Sequence, residues 1–127
     1  MRLLLDTHSL LWWWIDDRRL GAARDIFTDA EVKLVVSAAT AWEVATKVRI
    51  DKLPELATPV SEFLADVRAE GFDLLAILPE HAIRAGSYQA KHADPFDRIL
   101  AAQSELEDLP LVTRDPAFAA FPCETRW

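Results

Sequence analysis

Short apolar runs alternate along the chain with segments whose apolar positions recur at helical spacing. The runs are typical of buried strands, and the second has a β-branched centre at Val35 and Val36. The predicted strands are residues 3–5, 32–37, 72–77 and 109–113. Each is followed by a helical pattern, and this alternation favours a largely parallel sheet with helices on both faces. The predicted fold class is therefore an α/β/α sandwich around a sheet of four or five strands.

Helix boundaries follow from capping residues, proline and glycine. Thr40 and Glu43 have the spacing of a capping box, in which two side chains satisfy free backbone N–H groups of the first turn. Asp94 and Asp115, each followed by proline, are typical helix starts, and Gly71 is typical of the residue just beyond a helix. The predicted helices are residues 9–15, 18–30, 41–50, 60–70, 79–89 and 95–106, with a last short one beginning at 115.

The composition fits one globular domain. With 127 residues, 51% of them apolar, the chain lies near the commonest domain size, so we expect residues 1–127 to form a single domain. The single Cys123 excludes a disulfide framework and a cysteine zinc cluster, and it makes a reducing cytoplasm the simplest location. Apolar runs are far shorter than the roughly 20 residues of a membrane span, so we expect no membrane association. Taken alone, the net charge of −7 argues against binding to nucleic acid.

Four acidic residues fall where predicted strands end and helices begin. Asp6 follows the first predicted strand, and Asp115 lies just beyond the fourth. Glu43 and Asp97 occupy the first turns of the helices that follow the second strand and lead to the fourth. Ligands of open α/β sheets bind outside the carboxyl ends of the strands. We therefore expect these four acids to meet at one edge of the sheet, with Asp94 close by.

Taken singly, these acids also have structural explanations. Those at helix starts are suitable caps or complements to the helix dipole, and Glu43 can complete the capping box with Thr40 or pair with Lys47. Asp6 is harder to explain, because a lone charge after a buried strand needs solvent, a cap or a cation. Crowded carboxylates are stabilised by a cation, and oxygen ligands favour Mg²⁺ or Mn²⁺. Such a site suits phosphodiester hydrolysis by metal-activated water.

Four sequence blocks occur in order along nearly the whole chain, at residues 5–13, 36–45, 92–103 and 111–115. The third block is the most specific, because it contains the run Asp94-Pro95-Phe96-Asp97-Arg98. Together the blocks resemble PIN-domain ribonucleases of the VapC toxin type. Two residues depart from the usual pattern, the bulky Trp14 and the charged Arg114, and neither departure removes an acid.

The resemblance implies a metal-dependent endoribonuclease that is blocked by a small antitoxin encoded beside it. It matches Asp6, Glu43, Asp97 and Asp115 to the acidic quartet of the family. Asp6 and Asp97 would bind Mg²⁺ directly, with Mn²⁺ as a substitute. Glu43 would help to hold the ion or its water, Asp115 a second ion or an outer water, and Asp94 would be a cap or an accessory ligand. Three hydroxyl groups would support the carboxylates through hydrogen bonds, those of Thr7, Ser37 and Thr113.

The remaining expectations concern the substrate and partners. Basic side chains in or beside these blocks are candidates to hold RNA phosphates, with a solvated surface charge as the alternative for each: Arg98, Arg114, Lys47, Arg49, Lys91 and His92. Successive helical residues point about 100° apart, so we expect at least one of Trp12, Trp13 and Trp14 to be exposed at an interface. The resemblance implies a homodimer bound to an antitoxin protein. The alternatives are a PIN-domain RNA-processing nuclease without an antitoxin and a catalytically silent PIN-like module that binds RNA or protein.

Overall fold

The computed structural model describes residues 1–56 and 58–127. Within them, the strands are β1 (Arg2–Leu5), β2 (Lys33–Ser37), β3 (Asp73–Leu75), β4 (Leu111–Val112) and β5 (Thr125–Arg126). They form one sheet in the order β3-β2-β1-β4-β5, and each neighbouring pair is parallel. The predicted parallel sheet is therefore confirmed, with β1 at its centre.

Helices connect the strands. The α-helices of the described residues are α1 (Thr7–Trp14), α2 (Arg24–Thr28), α3 (Ala38–Arg49), α4 (Phe63–Ala69), α5 (Pro79–Ser87) and α6 (Pro95–Glu107). Shorter 3₁₀ helices cover Arg18–Ala23, Val60–Glu62 and Pro116–Ala120. None of these helices is long and apolar enough to cross a lipid bilayer.

Alternate strand residues enter two separate cores on opposite faces of the sheet. Leu3, Leu5 and Val36 pack on one face with residues of α1, α3 and α4. Leu4 and Val35 pack on the other face with residues of α6 and of the last 3₁₀ helix. Each fully buried leucine contributes about 1.5–3 kcal/mol relative to an exposed one. The two cores give the predicted three layers.

The fifth strand has no apolar pattern in the sequence. Both of its residues are exposed, and backbone hydrogen bonds hold it to β4. The Leu111 N–H donates to the Glu124 carbonyl at 2.8 Å, and the Thr113 N–H donates to the Arg126 carbonyl at 3.0 Å. Strands β3 and β4 are likewise shorter than the apolar runs that predicted them. Hydrophobicity located the buried strands, whereas backbone pairing sets their lengths.

The predicted helix over residues 18–30 is interrupted. A 3₁₀ helix over Arg18–Ala23 precedes α2, and Gly21 inside it has φ 52° and ψ −130°. A residue with a Cβ avoids this conformation, whereas glycine adopts it without a steric penalty. The helical spacing of the apolar residues is therefore real, but the chain changes direction at the glycine.

The predicted capping box at the start of α3 is wrong. Ser37 is the N-cap, because its Oγ accepts a hydrogen bond from the Ala39 N–H at 2.9 Å. Thr40 lies inside the first turn with its side chain buried. Glu43 pairs with Lys47 one turn later, which was the alternative interpretation. The helix thus begins earlier than predicted, directly after β2.

The triple tryptophan is half-buried at every position, so the expectation that one of its members is exposed is wrong. Trp13 stacks on Phe27 with the ring centroids 4.9 Å apart, and Trp14 meets the edge of Phe63 at 5.4 Å. Separate segments therefore cover successive positions of the short helix α1. The exposed tryptophans of the described residues are Trp42, at 53%, and Trp127, at 36%.

Gly21 and Gly86 provide a matched test of the break before α2. A Cβ at either position meets no atom within 4 Å, so only the backbone conformation differs. Gly21→Ala is expected to lower the free energy of unfolding by about 1–3 kcal/mol, because alanine is strained at this positive φ. Gly86→Ala in helix α5 is expected to raise it by about 0.5–1 kcal/mol. Urea unfolding measures both changes, and equal stability of the two variants would contradict this account.

Candidate active site

The carboxyl ends of β1 and β4 meet at the centre of the sheet, where the strand order changes direction. From β1 the chain passes to β2 and β3 on one side, then crosses back to β4 and β5 on the other. The connections leave the two central strands in opposite directions, which opens a crevice outside their ends. Asp6 directly follows β1, and Thr113 directly follows β4.

Asp6 is buried at this crevice, with only 4% of its surface exposed. Its backbone N–H donates to the Val112 carbonyl at 3.1 Å, which ties the residue to the end of β4. Its Oδ2 accepts a hydrogen bond from the Thr113 hydroxyl at 2.8 Å. Burial, with smaller contributions from the nearby carboxylates Asp97 and Glu43, raises the pKa of Asp6 to about 6 despite this hydrogen bond.

Glu43 extends from α3 and is 3% exposed. One carboxylate oxygen, Oε2, accepts from the Lys47 ammonium at 2.6 Å. The other oxygen, Oε1, is buried and has no hydrogen-bond partner among the described residues. An unsatisfied buried acceptor costs about 1–3 kcal/mol, and more when it is charged. This oxygen can therefore bind a cation or accept a hydrogen bond from water.

Asp97 lies in the first turn of α6, where Asp94 is the N-cap. The Asp94 carboxylate accepts from the Phe96 and Asp97 N–H groups at 2.9 and 3.1 Å, so its predicted capping role is confirmed. The Asp97 Oδ2 lies 2.8 Å from the His92 Nε2. Burial raises the pKa of Asp97, the His92 hydrogen bond opposes that rise, and the charges of Asp94 and Glu43 add to it.

Asp115 stands beside Asp6 through a shared threonine. The Thr113 hydroxyl donates to Asp6 and accepts from the Asp115 N–H at 3.1 Å. The Asp115 Oδ1 caps the following 3₁₀ helix by accepting from the Ala117 N–H at 2.9 Å. Both carboxylates line one cleft of about 360 Å³. The structure thus connects Asp6 to Glu43 and Asp97 on one side and to Asp115 on the other.

The two remaining hydroxyl groups do not support the carboxylates as predicted. The Thr7 hydroxyl pairs with the Thr40 hydroxyl at 3.0 Å, and the Ser37 hydroxyl donates to the buried side chain of Gln103. Gln103 in turn donates to the Ala76 carbonyl at 3.2 Å. These contacts join α1 to α3 and the end of β2 to α6. Thr7 and Ser37 therefore hold the backbone around the site rather than the oxygens of its carboxylates.

The donor set fits a divalent cation in its chemistry. Asp6, Glu43 and Asp97 supply oxygen ligands only, two of them have raised pKa values, and Glu43 leaves one buried oxygen without a partner. Within residues 1–56 and 58–127, however, no three His, Cys, Asp or Glu side chains are already placed to hold an ion. Lys47 supplies a positive charge beside Glu43, and His92 forms a hydrogen bond with Asp97.

Arg98, which sequence analysis proposed as an RNA contact, is structural. Its guanidinium donates to the carbonyls of Ala85, Tyr88, Ala90 and His92 at 2.6 to 3.0 Å. Four of its five N–H groups are therefore used inside the protein. The arginine ties the end of α5 and the following segment to α6, and so positions His92 beside Asp97.

The other basic candidates differ in how exposed they are. Lys47 is held by Glu43 and His92 by Asp97, whereas Arg49 and Lys91 are exposed. Arg114 is exposed at the cleft, and its Nη1 donates to the Arg19 carbonyl at 3.2 Å. Arg19 and Trp127 also line the cleft, and sequence analysis did not propose either of them. Trp12 and His8 line it as well.

Arg19 has no motif that would have identified it. Its guanidinium lies over the Trp12 ring, 5.0 Å from the centroid, and bonds to the Asp17 carboxylate. Because Asp17 and the tryptophan fix the arginine from two directions, its position depends on the fold of α1 and the following turn. In the sequence, Arg19 is one of several charged residues of a predicted helix, and nothing there indicates that it lines the cleft.

Arg98→Lys is expected to lower the free energy of unfolding by about 2–4 kcal/mol, because a lysine ammonium cannot span four carbonyls. Hydrogen exchange in residues 88–94 should accelerate, since these carbonyls lose their donor. Arg68→Lys is the control, because Arg68 is exposed on α4. Unchanged urea unfolding for Arg98→Lys would contradict a structural role for the guanidinium.

Asp6→Asn is expected to stabilise the metal-free protein, because it removes a buried charge and leaves Thr113 a carbonyl oxygen as acceptor. The gain is on the order of 1–3 kcal/mol in urea unfolding at pH 8 with EDTA. Added Mg²⁺ should stabilise the parent protein and not this variant. Asp25→Asn, at an exposed position of α2, should change stability by less than about 0.5 kcal/mol. Destabilisation by Asp6→Asn would oppose this view of the buried carboxylate.

The sequence of this chain is similar to those of known proteins. The PIN domain family model matches residues 3–122. Ribonuclease VapC22 of Mycobacterium tuberculosis H37Rv is 30% identical over 114 residues, which cover 89% of this chain and 86% of that protein.

Solved structures share the fold. A toxin-antitoxin complex from Klebsiella pneumoniae aligns with a TM-score of 0.65 at 23% identity, covering 94% of this chain and 92% of the other. VapBC2 from Rickettsia felis, bound to a DNA fragment from its promoter, aligns with a TM-score of 0.66 at 14% identity, covering 98% and 96%. At these identities the likeness concerns the arrangement of strands and helices.

Proposed function

The chain belongs to the PIN domain family, and on that premise we propose that it is a metal-dependent endoribonuclease and the toxin of a toxin–antitoxin pair. The relative with 30% identity is a ribonuclease by name, and the structural neighbour from Klebsiella pneumoniae is a toxin-antitoxin complex by title. The observation that carries the proposal is the unpartnered Oε1 of Glu43 among buried carboxylates at the strand ends. All four acids of the proposed quartet are present, which disfavours a catalytically silent module.

Three of these acids would hold the ion. Asp6 and Asp97 would be direct ligands of Mg²⁺, for which Mn²⁺ can substitute, and Glu43 would contribute the oxygen that lacks a partner. When bound, the ion supplies an acidic water as nucleophile and offsets the charge that develops on the phosphate. Thr113 holds the Asp6 carboxylate in place, and His92 holds that of Asp97.

The cleft beside Asp6 is the proposed path of the RNA. Asp115 lies on the same cleft as Asp6 and would hold an outer water or a second ion. Arg114 and Arg19 line its rim, where their guanidinium groups would bind backbone phosphates on either side of the cleaved bond. The basic groups of the cleft would attract the RNA backbone, and the acids would hold the metal ion.

The proposed partners are an RNA substrate, a cognate antitoxin protein and a second copy of the chain. The antitoxin would block access to the acids, and the homodimer follows from the family. Action on cellular RNA would take place in the cytoplasm. A processing nuclease of the same family, without an antitoxin, would use the same acids, so only a cellular test separates the two.

Purified protein with Mg²⁺ is expected to cleave single-stranded RNA, and EDTA should stop the reaction. Asp97→Asn and Glu43→Gln should each lower the cleavage rate by more than about 100-fold, because each removes a charged oxygen from the proposed ion site. Asp108→Asn is the control, since Asp108 lies beyond the far end of α6 in a left-handed conformation that asparagine also accepts.

Two outcomes would contradict the proposal in different ways. Cleavage that survives both substitutions and EDTA would exclude the proposed metal site. Normal growth of cells that express the active protein without a partner gene would exclude the toxin assignment and leave the nuclease assignment standing.

A further inference from the structure

Trp42 is an exposed aromatic residue in the first half of α3, with 53% of its surface accessible. Its ring meets that of Phe96 on α6, with the centroids 4.6 Å apart and the planes at 78°. Edge-to-face contact of this kind fixes the relative orientation of two rings. The indole is therefore held in position while half of its surface remains in solvent.

Both rings are sequence neighbours of proposed metal ligands. Trp42 directly precedes Glu43, and Phe96 directly precedes Asp97. Consecutive Cα atoms lie about 3.8 Å apart, so the aromatic pair stands at the edge of the acidic cluster. Glu43 is buried and Asp97 is half-buried, whereas Trp42, one residue before Glu43 on α3, is exposed. One helix turn thus contributes a ligand to the floor of the site and a flat apolar surface to its rim.

From this arrangement we infer that Trp42, supported by Phe96, is a stacking platform for an unpaired base next to the cleaved phosphate. The inference rests on the proposed ribonuclease function. Single-stranded nucleic acid is commonly held by base stacking on exposed aromatic rings, while cationic groups follow the backbone. A platform at the edge of the acidic cluster, together with the arginines of the cleft beside Asp6, would hold the strand at the site.

The surroundings of Trp42 favour a nucleotide over a protein partner. Its neighbours on the same helix face are small or charged: Ala38 one turn before it, Ala45 one turn after it and Arg49 two turns after it. A protein interface needs about 800 Å² from each partner around a packed apolar core. A single ring flanked by alanines and an arginine suits one base and its phosphate. In the described part of the chain, Arg49 forms no ion pair with an acid, so its charge is available.

Binding of a short unstructured RNA tests the inference in an Asp6→Asn background, where the strand is not cut. Fluorescence anisotropy gives the dissociation constant. Trp42→Leu is expected to weaken binding by about 5- to 100-fold, because it keeps an apolar side chain but removes the stacking face. Trp42→Phe should retain most of the affinity. Ile83→Ala, at a 71% exposed position on α5, is the control and should bind as the parent does.

Removal of single bases from the RNA identifies the contact. At one position, an abasic nucleotide should weaken binding to the parent, and the same change should have no further effect on Trp42→Leu. Such coupling between the two losses is expected only when ring and base touch. Melting temperatures of the variants show whether each is folded. Trp42→Phe keeps an aromatic ring packed on Phe96, so it tests the contact with the base without loss of that packing.

Three outcomes would overturn the inference. Equal affinity of Trp42→Leu and the parent, with cleavage by the protein intact, would exclude stacking and leave the proposed ribonuclease unaffected. Loss of self-association or antitoxin binding without loss of RNA affinity would assign the ring to a protein interface. Failure of the parent protein both to bind and to cleave RNA would remove the proposed function and the inference with it.

Discussion

Burial of a carboxylate at the carboxyl end of the central strand constrains the rest of the structure. Asp6 remains in register with β4 through its backbone N–H, so its side chain lies inside the switch point of the sheet rather than in solvent. A lone charge there would cost more than a domain of this size can sustain. Thr113 donates to it, and two cationic or hydrogen-bonding side chains, Lys47 and His92, hold the neighbouring acids. These contacts come from separate parts of the chain, so the acidic cluster forms only when the whole sheet has assembled.

Arg98 shows how this cluster is kept in shape at a distance. It lies one residue after Asp97 on α6 and binds one carbonyl in the last turn of α5 and three carbonyls of the segment between α5 and α6. One of those carbonyls belongs to His92, whose ring contacts Asp97. The arginine therefore fixes both the donor and, through its own helix, the acceptor of that hydrogen bond. A charged residue in a functional motif is not by that fact a substrate contact. In Arg98, backbone carbonyls bind four of the five N–H groups of the guanidinium.

Local signals predicted much of this molecule, and contacts between distant segments account for the rest. Asp94 followed by proline specifies a helix start whatever surrounds it, and the structure confirms that cap. The alternation of apolar runs with helical patterns likewise predicted the parallel sheet and the helices on both of its faces. The partners of Ser37 and Trp13 were not predictable, because Gln103 and Glu70 lie far away in sequence. Those of Arg98 are nearer, but they are backbone carbonyls of a segment whose path no motif specifies. Local spacing was also misleading at Thr40 and Glu43, where a nearer cap residue and a buried threonine took precedence.

The net charge of −7 misleads about substrate because it is a sum over the whole chain and says nothing of where the charges lie. Arg84 is held by Glu105 and Arg126 by Glu124, so several acids and bases cancel on the surface. What an approaching strand meets is decided by the charges left over around the site. Arg114 at the cleft and Arg49 on α3 form no ion pair within the described ranges 1–56 and 58–127. Their charges are therefore available to a phosphate backbone, and a divalent ion held by the acids would reduce the repulsion between those acids and a phosphate. An acidic protein can in this way present a site to RNA without a basic surface.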